Sequence, residues 1–281
     1  MSVLPLLVED PTSFLARWPD TPTVHAVDRG LLATLFDRSD ARRIVADPSV
    51  RPIAMGMVRQ GAPTQTQPDA DHPSETLVLN GLHLTWPPLR EASTQLASEI
   101  GHPVTANVYL TPPGSAGYGP HWDTHHVFIA QAEGAKTWQL HPPIVEDPLD
   151  RHRWTAVGFT PYQLDQVHRD ADTITLTAGH VLYIPRGWVH FGSTGDEHSL
   201  HITFGVQLLT RHWVLEQLVE QAAEWSVARA ALPPALSEHR IESIVEDARN
   251  TLLQFLDSLD PAQAGVPIST KQQLAVLGVR R

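Results

Sequence analysis

The stretch GPHWDTHHVFIAQAEGAKTW, residues 119–138, gathers His121, Asp123, His125 and His126 within six positions and then turns apolar. Side chains two apart on an extended chain share a face. His121 and Asp123 can therefore offer an imidazole nitrogen and a carboxylate oxygen to one ion. Two neighbouring ligands are not a site, so a third must arrive from another element. The second stretch with suitable chemistry is GHVLYIPRGWVHFG, residues 179–192, where Pro185–Gly187 turns the chain and His190 follows on the next strand. Two histidines and one carboxylate with open positions form the facial triad used by non-haem Fe(II) oxygenases. Such a set leaves room for a bidentate cosubstrate and O2 together, whereas a catalytic zinc site more often keeps one open position. The three residues by themselves leave the identity of the metal open.

The other histidines carry less. There are 16 in the chain, so chance clustering is easy. His125 and His126 are adjacent, which on a strand sends them to opposite faces, and at most one of them points at a metal. His180 reads as a solvated turn residue. His198 and His201 flank the next strand, and His201 is a candidate for the pocket wall.

Composition narrows the chemistry further. The chain has 281 residues and no cysteine, which excludes disulfides, thiolate zinc sites and cysteine nucleophiles. Any metal must be held by His, Asp or Glu. The net charge of −11 is opposite in sign to that of a protein tracking a nucleic-acid backbone. No apolar run approaches the roughly 18 residues of a membrane span, and the N-terminus lacks the basic lead-in of a signal peptide. The expectation is a cytoplasmic protein with neither nucleic-acid nor membrane partners.

The elements that must position these residues follow from pattern. DPTSFLARW predicts a helix capped by Asp10 or Thr12, and RGLLATLFD has helical spacing. From Val50 onward, RPIAMGMVRQG and ETLVLNGLHLTW read as strands around a polar, Pro-rich loop at 62–75, either an inert connection or a lid. PPLREASTQLASEIG predicts a helix ending at Gly101. Strand-like pieces follow: VTANVYLTP, HHVFIAQAEG, KTWQLHPP, DTITLTAGHVLYIP, VHFGS and SLHITFGVQLL. Short strands with Gly and Pro turns predict an antiparallel sandwich or jelly roll. Beyond about Thr210, two amphipathic helices are expected, RHWVLEQLVEQAAEWSVARAAL and SEHRIESIVEDARNTLLQFLDSL, split by Pro233 and Pro234.

With those residues in place, NVYLTPPGSAGYGPHWDTHHVFIAQAEGAKTWQL resembles the JmjC-type ribosomal oxygenases of the cupin superfamily, and LYIPRGWVHFG followed by HSLHITFGV is similar to the same family's distal-histidine region. The resemblance is dense from about Leu77 to Val206. It implies a mainly β fold with helical additions: a double-stranded β-helix (jelly-roll, JmjC-like cupin) over residues 1–208 and a helical, dimerising region over 209–281. It implies an Fe(II)- and 2-oxoglutarate-dependent hydroxylase using O2, with the metal on His121, Asp123 and His190. It also implies that Lys136, the only lysine between Met1 and Val206, pairs with the distal carboxylate of 2-oxoglutarate. Tyr109 would donate its hydroxyl to that carboxylate and Asn107 would sit beside the metal-bound end.

The substrate so implied is an amino-acid side chain of a peptide or protein. The alternatives are a free amino acid or natural-product intermediate, a metal-dependent cupin enzyme that does not use 2-oxoglutarate, or a non-catalytic module. Two departures stand out. The residues after the core leave room for helices but not for the winged-helix module of the larger members, so a short form is expected. His126 stands where an acidic residue is usual, which predicts an altered pocket beside the metal.

Overall fold

The computed structural model describes residues 2–278 apart from 48, 50, 51, 233 and 235–237. Arg51, the first residue of the first expected strand, and Pro233 of the expected helix break lie outside the described residues. The chain divides into two compact units, Met1–Leu208 and Leu209–Arg281.

The first unit is built on antiparallel strands. They are β1 (Thr23–Ala26), β2 (Ala54–Arg59), β3 (Ala62–Pro63), β4 (Thr76–Asn80), β5 (Val104–Thr111), β6 (His126–His141), β7 (Asp172–Thr177), β8 (His180–Ile184), β9 (Val189–Ser193) and β10 (Ser199–Val206). One face of the jelly roll has the order β1-β8-β6-β10-β5-β4-β2-β3, and β7 and β9 pair with β6. The helices of this unit are α1 (Pro11–Ala16), α2 (Arg29–Leu35), α3 (Arg38–Ala46), α4 (Leu82–Thr85), α5 (Pro87–Ile100), α6 (Trp154–Val157) and α7 (Pro161–Asp170). Asp10 caps α1, accepting from the amides of Thr12 and Ser13. Gly101 closes α5 in the left-handed conformation.

Strand β6 sets the architecture. Its first half pairs with β8 and β10, while its second half pairs with β7 and β9. HHVFIAQAEG and KTWQLHPP were expected as separate strands; they form one strand that passes from one sheet to the other. The crossing is made by a bulge: His201 of β10 faces Gln131, but its neighbour Leu200 faces Glu133, so Ala132 is an extra residue. An extra residue flips the alternation of every side chain beyond it. Val127 and Ile129 line the interior before the bulge, and Lys136 and Trp138 line it afterwards. Without the bulge Lys136 would face out.

Gly134 completes the turn at φ 65°, where a Cβ would lie 1.8 Å from the carbonyl oxygen of His198. The interior is closed by Val127, Ile129, Trp138, Leu140, Leu176, Leu182 and Ile184. Each large apolar side chain buried there contributes about 1.5–3 kcal/mol.

Other expectations are corrected. DTITLTAGHVLYIP is two strands, turned at Gly179 with φ 96°. GLHLTW leaves the strand and becomes the short helix α4, because Gly81 adopts a left-handed conformation at φ 75°. Helices α6 and α7 fall where no element was expected; α7 starts from a Thr160 capping box with Pro161 at its first position. In the second unit α8 (Arg211–Ala222) ends well short of the expected helix, and α9 (Glu238–Ser258) is followed by a third helix, α10 (Pro261–Val276), which carries Pro267 inside it. No helix among the described residues is long and apolar enough to cross a membrane.

Because Gly134 is both left-handed and in backbone contact, Gly134→Ala is expected to destabilise the protein by at least about 3 kcal/mol. Chemical denaturation should show this as a large drop in midpoint with little change in slope.

Candidate metal centre

The central tryptophan of HWD does the aiming. Trp122 is fully buried against Val167, Val189 and Phe159 on the far side of the strand segment, and its Nε1–H donates to the His152 carbonyl at 2.9 Å. With Trp122 anchored outward, His121 and Asp123 both turn inward. The third group comes from β9: His121 and His190 pair backbone to backbone, with the His190 amide donating to the His121 carbonyl at 2.8 Å and the reverse bond at 3.3 Å. Ligand atoms of His121, Asp123 and His190 lie within 4.8 Å of one another.

Their protonation suits a cation. The Nδ1–H of His121 donates to the Gly119 carbonyl at 2.8 Å, and that of His190 to the Trp188 carbonyl at 3.1 Å. Each ring is thereby fixed in the tautomer whose Nε2 lone pair is free. Burial pushes His190 down to about 4, with the neighbouring His121 helping, so it is neutral at ordinary pH, as a candidate ligand must be. Burial would raise the Asp123 carboxyl, but His125, His190 and His121 together outweigh it and hold Asp123 below the usual carboxylate range. Two imidazoles with free Nε2 lone pairs and one carboxylate whose side chain keeps 30 % of its surface open fit a divalent ion with further positions free.

The three groups open onto a cavity of about 310 Å³. Lys136 lies in its wall, 2 % exposed, and its ammonium has one hydrogen bond, to the Thr111 hydroxyl at 3.1 Å, with the Trp138 ring 5.0 Å below it. Burial pushes it down to about 7. A cation closed in with one neutral hydroxyl and an aromatic face has no counter-charge among the described residues, which is costly in a buried setting. The cavity therefore fits an anion at Lys136. Gly117 keeps the space open, since a Cβ there would come within 3.2 Å of Nζ.

Tyr109 and Asn107 alternate with the buried Val108 on β5 and both line the cavity. Burial raises the Tyr109 hydroxyl far above its ordinary value, so it remains a donor. The Asn107 side-chain oxygen is already engaged, accepting from the Gly81 amide at 2.9 Å. All six residues singled out in the sequence thus border one cavity.

One further point differs from expectation. His126 does not alter the pocket: it is buried on the opposite face, its ring 4.9 Å from Trp18, and its Nδ1 accepts from the Arg186 amide at 3.0 Å. His125 lines the cavity instead. His180 opens β8, hydrogen-bonded to Thr177.

The 62–75 loop is pinned at both ends. Gly61 pairs with Tyr118 and accepts from the Gly119 amide at 3.0 Å, while the buried Glu75 accepts from Thr64 and Thr66 and pairs with Arg59. Thr111, Tyr118, Trp138, Trp154 and His201 were not singled out for the site, apart from His201 as a candidate wall residue. Alternation on β5 carries on from Asn107 and Tyr109 to Thr111, whereas Trp138 falls on the cavity side of β6 only once the bulge is known.

Residues 86–217 match the model of the JmjC domain family. The chain is 34% identical over 162 residues to ribosomal oxygenase 1 of Danio rerio, covering 57% of this chain and 27% of that protein. It is 37% identical over 153 residues to the bifunctional lysine-specific demethylase and histidyl-hydroxylase NO66 of Drosophila melanogaster, covering 52% and 23% respectively. The chain thus spans about a quarter of the length of these curated relatives. Among solved structures, Escherichia coli ycfD superposes with a TM-score of 0.60 at 17% identity, covering 90% of this chain and 69% of that one. The ribosomal oxygenase YcfD in complex with cobalt and 2-oxoglutarate gives 0.52 at 17% identity, covering 88% and 66%. At that identity the structural likeness establishes the fold.

Lys136 also yields a test that needs no ligand. Its pKa of about 7 lies below the ordinary value of 10.5, so between these pH values the unfolded chain holds the proton and the folded chain does not. Stability therefore rises with pH across that window. Lys136→Met is expected to raise the stability of the ligand-free protein by about 1–3 kcal/mol near pH 7 and to flatten that rise. Thermal denaturation as a function of pH measures both.

Proposed function

We propose that this chain, which belongs to the JmjC-domain proteins of the ribosomal-oxygenase type, is an Fe(II)- and 2-oxoglutarate-dependent oxygenase that hydroxylates an amino-acid side chain of a peptide or protein. The observation that carries the proposal is the pairing, in one cavity, of a preset His-Asp-His cluster with a buried lysine that has no carboxylate partner among the described residues. A metal-dependent cupin enzyme without 2-oxoglutarate would have no use for that lysine.

His121, Asp123 and His190 would hold the iron, and Lys136 with Tyr109 would hold the far carboxylate of 2-oxoglutarate. When bound, iron and 2-oxoglutarate supply the oxidation: 2-oxoglutarate and O2 are consumed, succinate and CO2 are released, and one oxygen atom enters a C–H bond of the substrate. The chain's own residues bind, orient and exclude water. Lys136 and the Tyr109 hydroxyl supply charge and a donor in a desolvated wall, where such contacts are strong. The carbonyls of Gly119 and Trp188 hold the two imidazoles in register before any ligand arrives. Val127, Ile129 and Trp138 keep the walls apolar.

The size of the cavity supports a peptidyl substrate over a free metabolite. About 310 Å³ is at the small end for a ligand site, and 2-oxoglutarate would take much of it. What remains suits the tip of a side chain whose backbone stays at the surface. The names of the relatives, a ribosomal oxygenase and a histidyl-hydroxylase, support the same class. Exposed apolar residues on α8–α10, among them Leu215, Val219, Ile241, Val245 and Val266, support the reading of residues 209–281 as the arm of a homodimer. The site of action is proposed to be the cytoplasm.

Succinate formation from 2-oxoglutarate should depend on added Fe(II), and His121→Ala or Asp123→Ala should lower it by about 100-fold or more. Lys136→Ala should raise the 2-oxoglutarate requirement by about tenfold or more while changing metal affinity by less than about twofold. Full turnover by the His121 variant, or equal losses of metal and 2-oxoglutarate affinity in the Lys136 variant, would refute the assignment. Incubation with peptide pools, read by mass spectrometry, should reveal a product heavier by one oxygen atom.

A further inference from the structure

His201 has no part in the assignments above, yet it is 1 % exposed and borders the same cavity. It sits on β10 directly across from Tyr109 of β5, and the two rings stack at 4.9 Å with only 7° between their planes. On its other side Trp138 meets it edge to face at 5.3 Å, and the Trp138 ring also lies under the Lys136 ammonium. The imidazole is thus clamped between the two residues that flank the proposed anion position.

Its hydrogen bonding is incomplete in an informative way. Nδ1 is buried without a partner among the described residues. Burial, with the nearby Lys136 charge and His190 adding to it, holds the ring well below its ordinary pKa, so it is neutral and carries one proton. A buried N–H without an acceptor is rarer and more costly than a bare lone pair. The proton therefore belongs on Nε2, leaving Nδ1 as the bare acceptor. Nε2 is not among the buried unpartnered atoms and has no hydrogen-bond partner among the described residues, which leaves this N–H available to whatever fills the cavity that the ring borders.

We propose that His201 is a further anion-binding residue, donating its Nε2–H to the same carboxylate that Lys136 attracts, so that the cavity selects a 2-oxo dicarboxylate over a 2-oxo monocarboxylate. The proposal rests on the 2-oxoglutarate reading of the site. Stacking against Tyr109 fixes the plane of the ring, so the donor is oriented before the ligand enters. A rigid neutral donor beside the lysine also adds to binding without placing a second positive charge in the interior, which burial and Lys136 together disfavour.

The test uses the full chain loaded with Co(II), titrated with 2-oxoglutarate and, separately, with pyruvate, which keeps the 2-oxo acid end but lacks the second carboxylate. His201→Phe keeps a flat ring against Tyr109 and removes the donor; His201→Leu removes it with a smaller apolar group; His201→Gln restores a donor. The expected result is a loss of about tenfold or more in 2-oxoglutarate affinity in the Phe and Leu variants. Pyruvate and Co(II) affinities should stay within about twofold, and the Gln variant should recover part of the loss. Unchanged 2-oxoglutarate affinity in the Phe or Leu variant would overturn the role, and so would parallel losses of pyruvate and Co(II) affinity, the mark of a merely structural residue. If the unaltered protein bound Co(II) but not 2-oxoglutarate, the underlying reading of the site would fall first.

Discussion

A lysine ammonium enclosed in a protein interior with one hydroxyl for company is an unpaid electrostatic debt, and the arrangement of this jelly roll turns on it. Lys136 could have been turned outward by the simple removal of one residue from β6. Instead Ala132 is inserted and Gly134 takes a conformation that no other residue would tolerate against His198. Gly117 and Gly192 clear the space around the side chain: a Cβ at Gly192 would press within 3.1 Å of the lysine Cε and 3.0 Å of the Trp138 ring. Folding costs energy because it buries this amine with no counter-charge among the described residues, and an anion bound at the proposed position would offset that cost.

The metal side of the cavity follows a different logic, preorganisation rather than strain. His121 and His190 come from remote parts of the chain and are joined by their own backbone hydrogen bonds, so the pairing that closes one edge of the sheet also sets the distance between two candidate ligands. Each ring is locked by a carbonyl two residues away in sequence. Trp122 ties the His121–Asp123 segment to the buried core. Little conformational entropy remains to be lost when an ion binds. The segment after Gly61 supports the same edge from outside, because Gly61 holds Gly119 and Gly119 holds the His121 ring.

Much of this was legible in the residues. The alternation of HWD, the recurrence of a histidine after the PRG turn, the absence of cysteine and a single lysine in the first 206 residues are local facts. They narrow the chemistry to a His- and carboxylate-held ion and, through family resemblance, to 2-oxoglutarate. Helix α5 and the strands β5, β9 and β10 also announce themselves, because period and capping depend on near neighbours. The places that misled are those where a distant contact overrides the pattern. A bulge matched to β10 joins two apparent strands into one. Gly81 turns an alternating stretch into a helix, and Pro267 is accommodated within α10.

What the residues determined alone is therefore the inventory: which groups can ligate, which can carry charge, and which segments can be strand or helix, since these depend on covalent chemistry and on contacts a few positions apart. What only the tertiary structure decided is orientation. His125 rather than His126 faces the cavity, Lys136 points in rather than out, and the His201 ring is stacked on Tyr109 with Trp138 at its edge. The side-chain direction of a strand residue reverses with each one-residue change of register. Register is fixed by partners that lie far away along the chain.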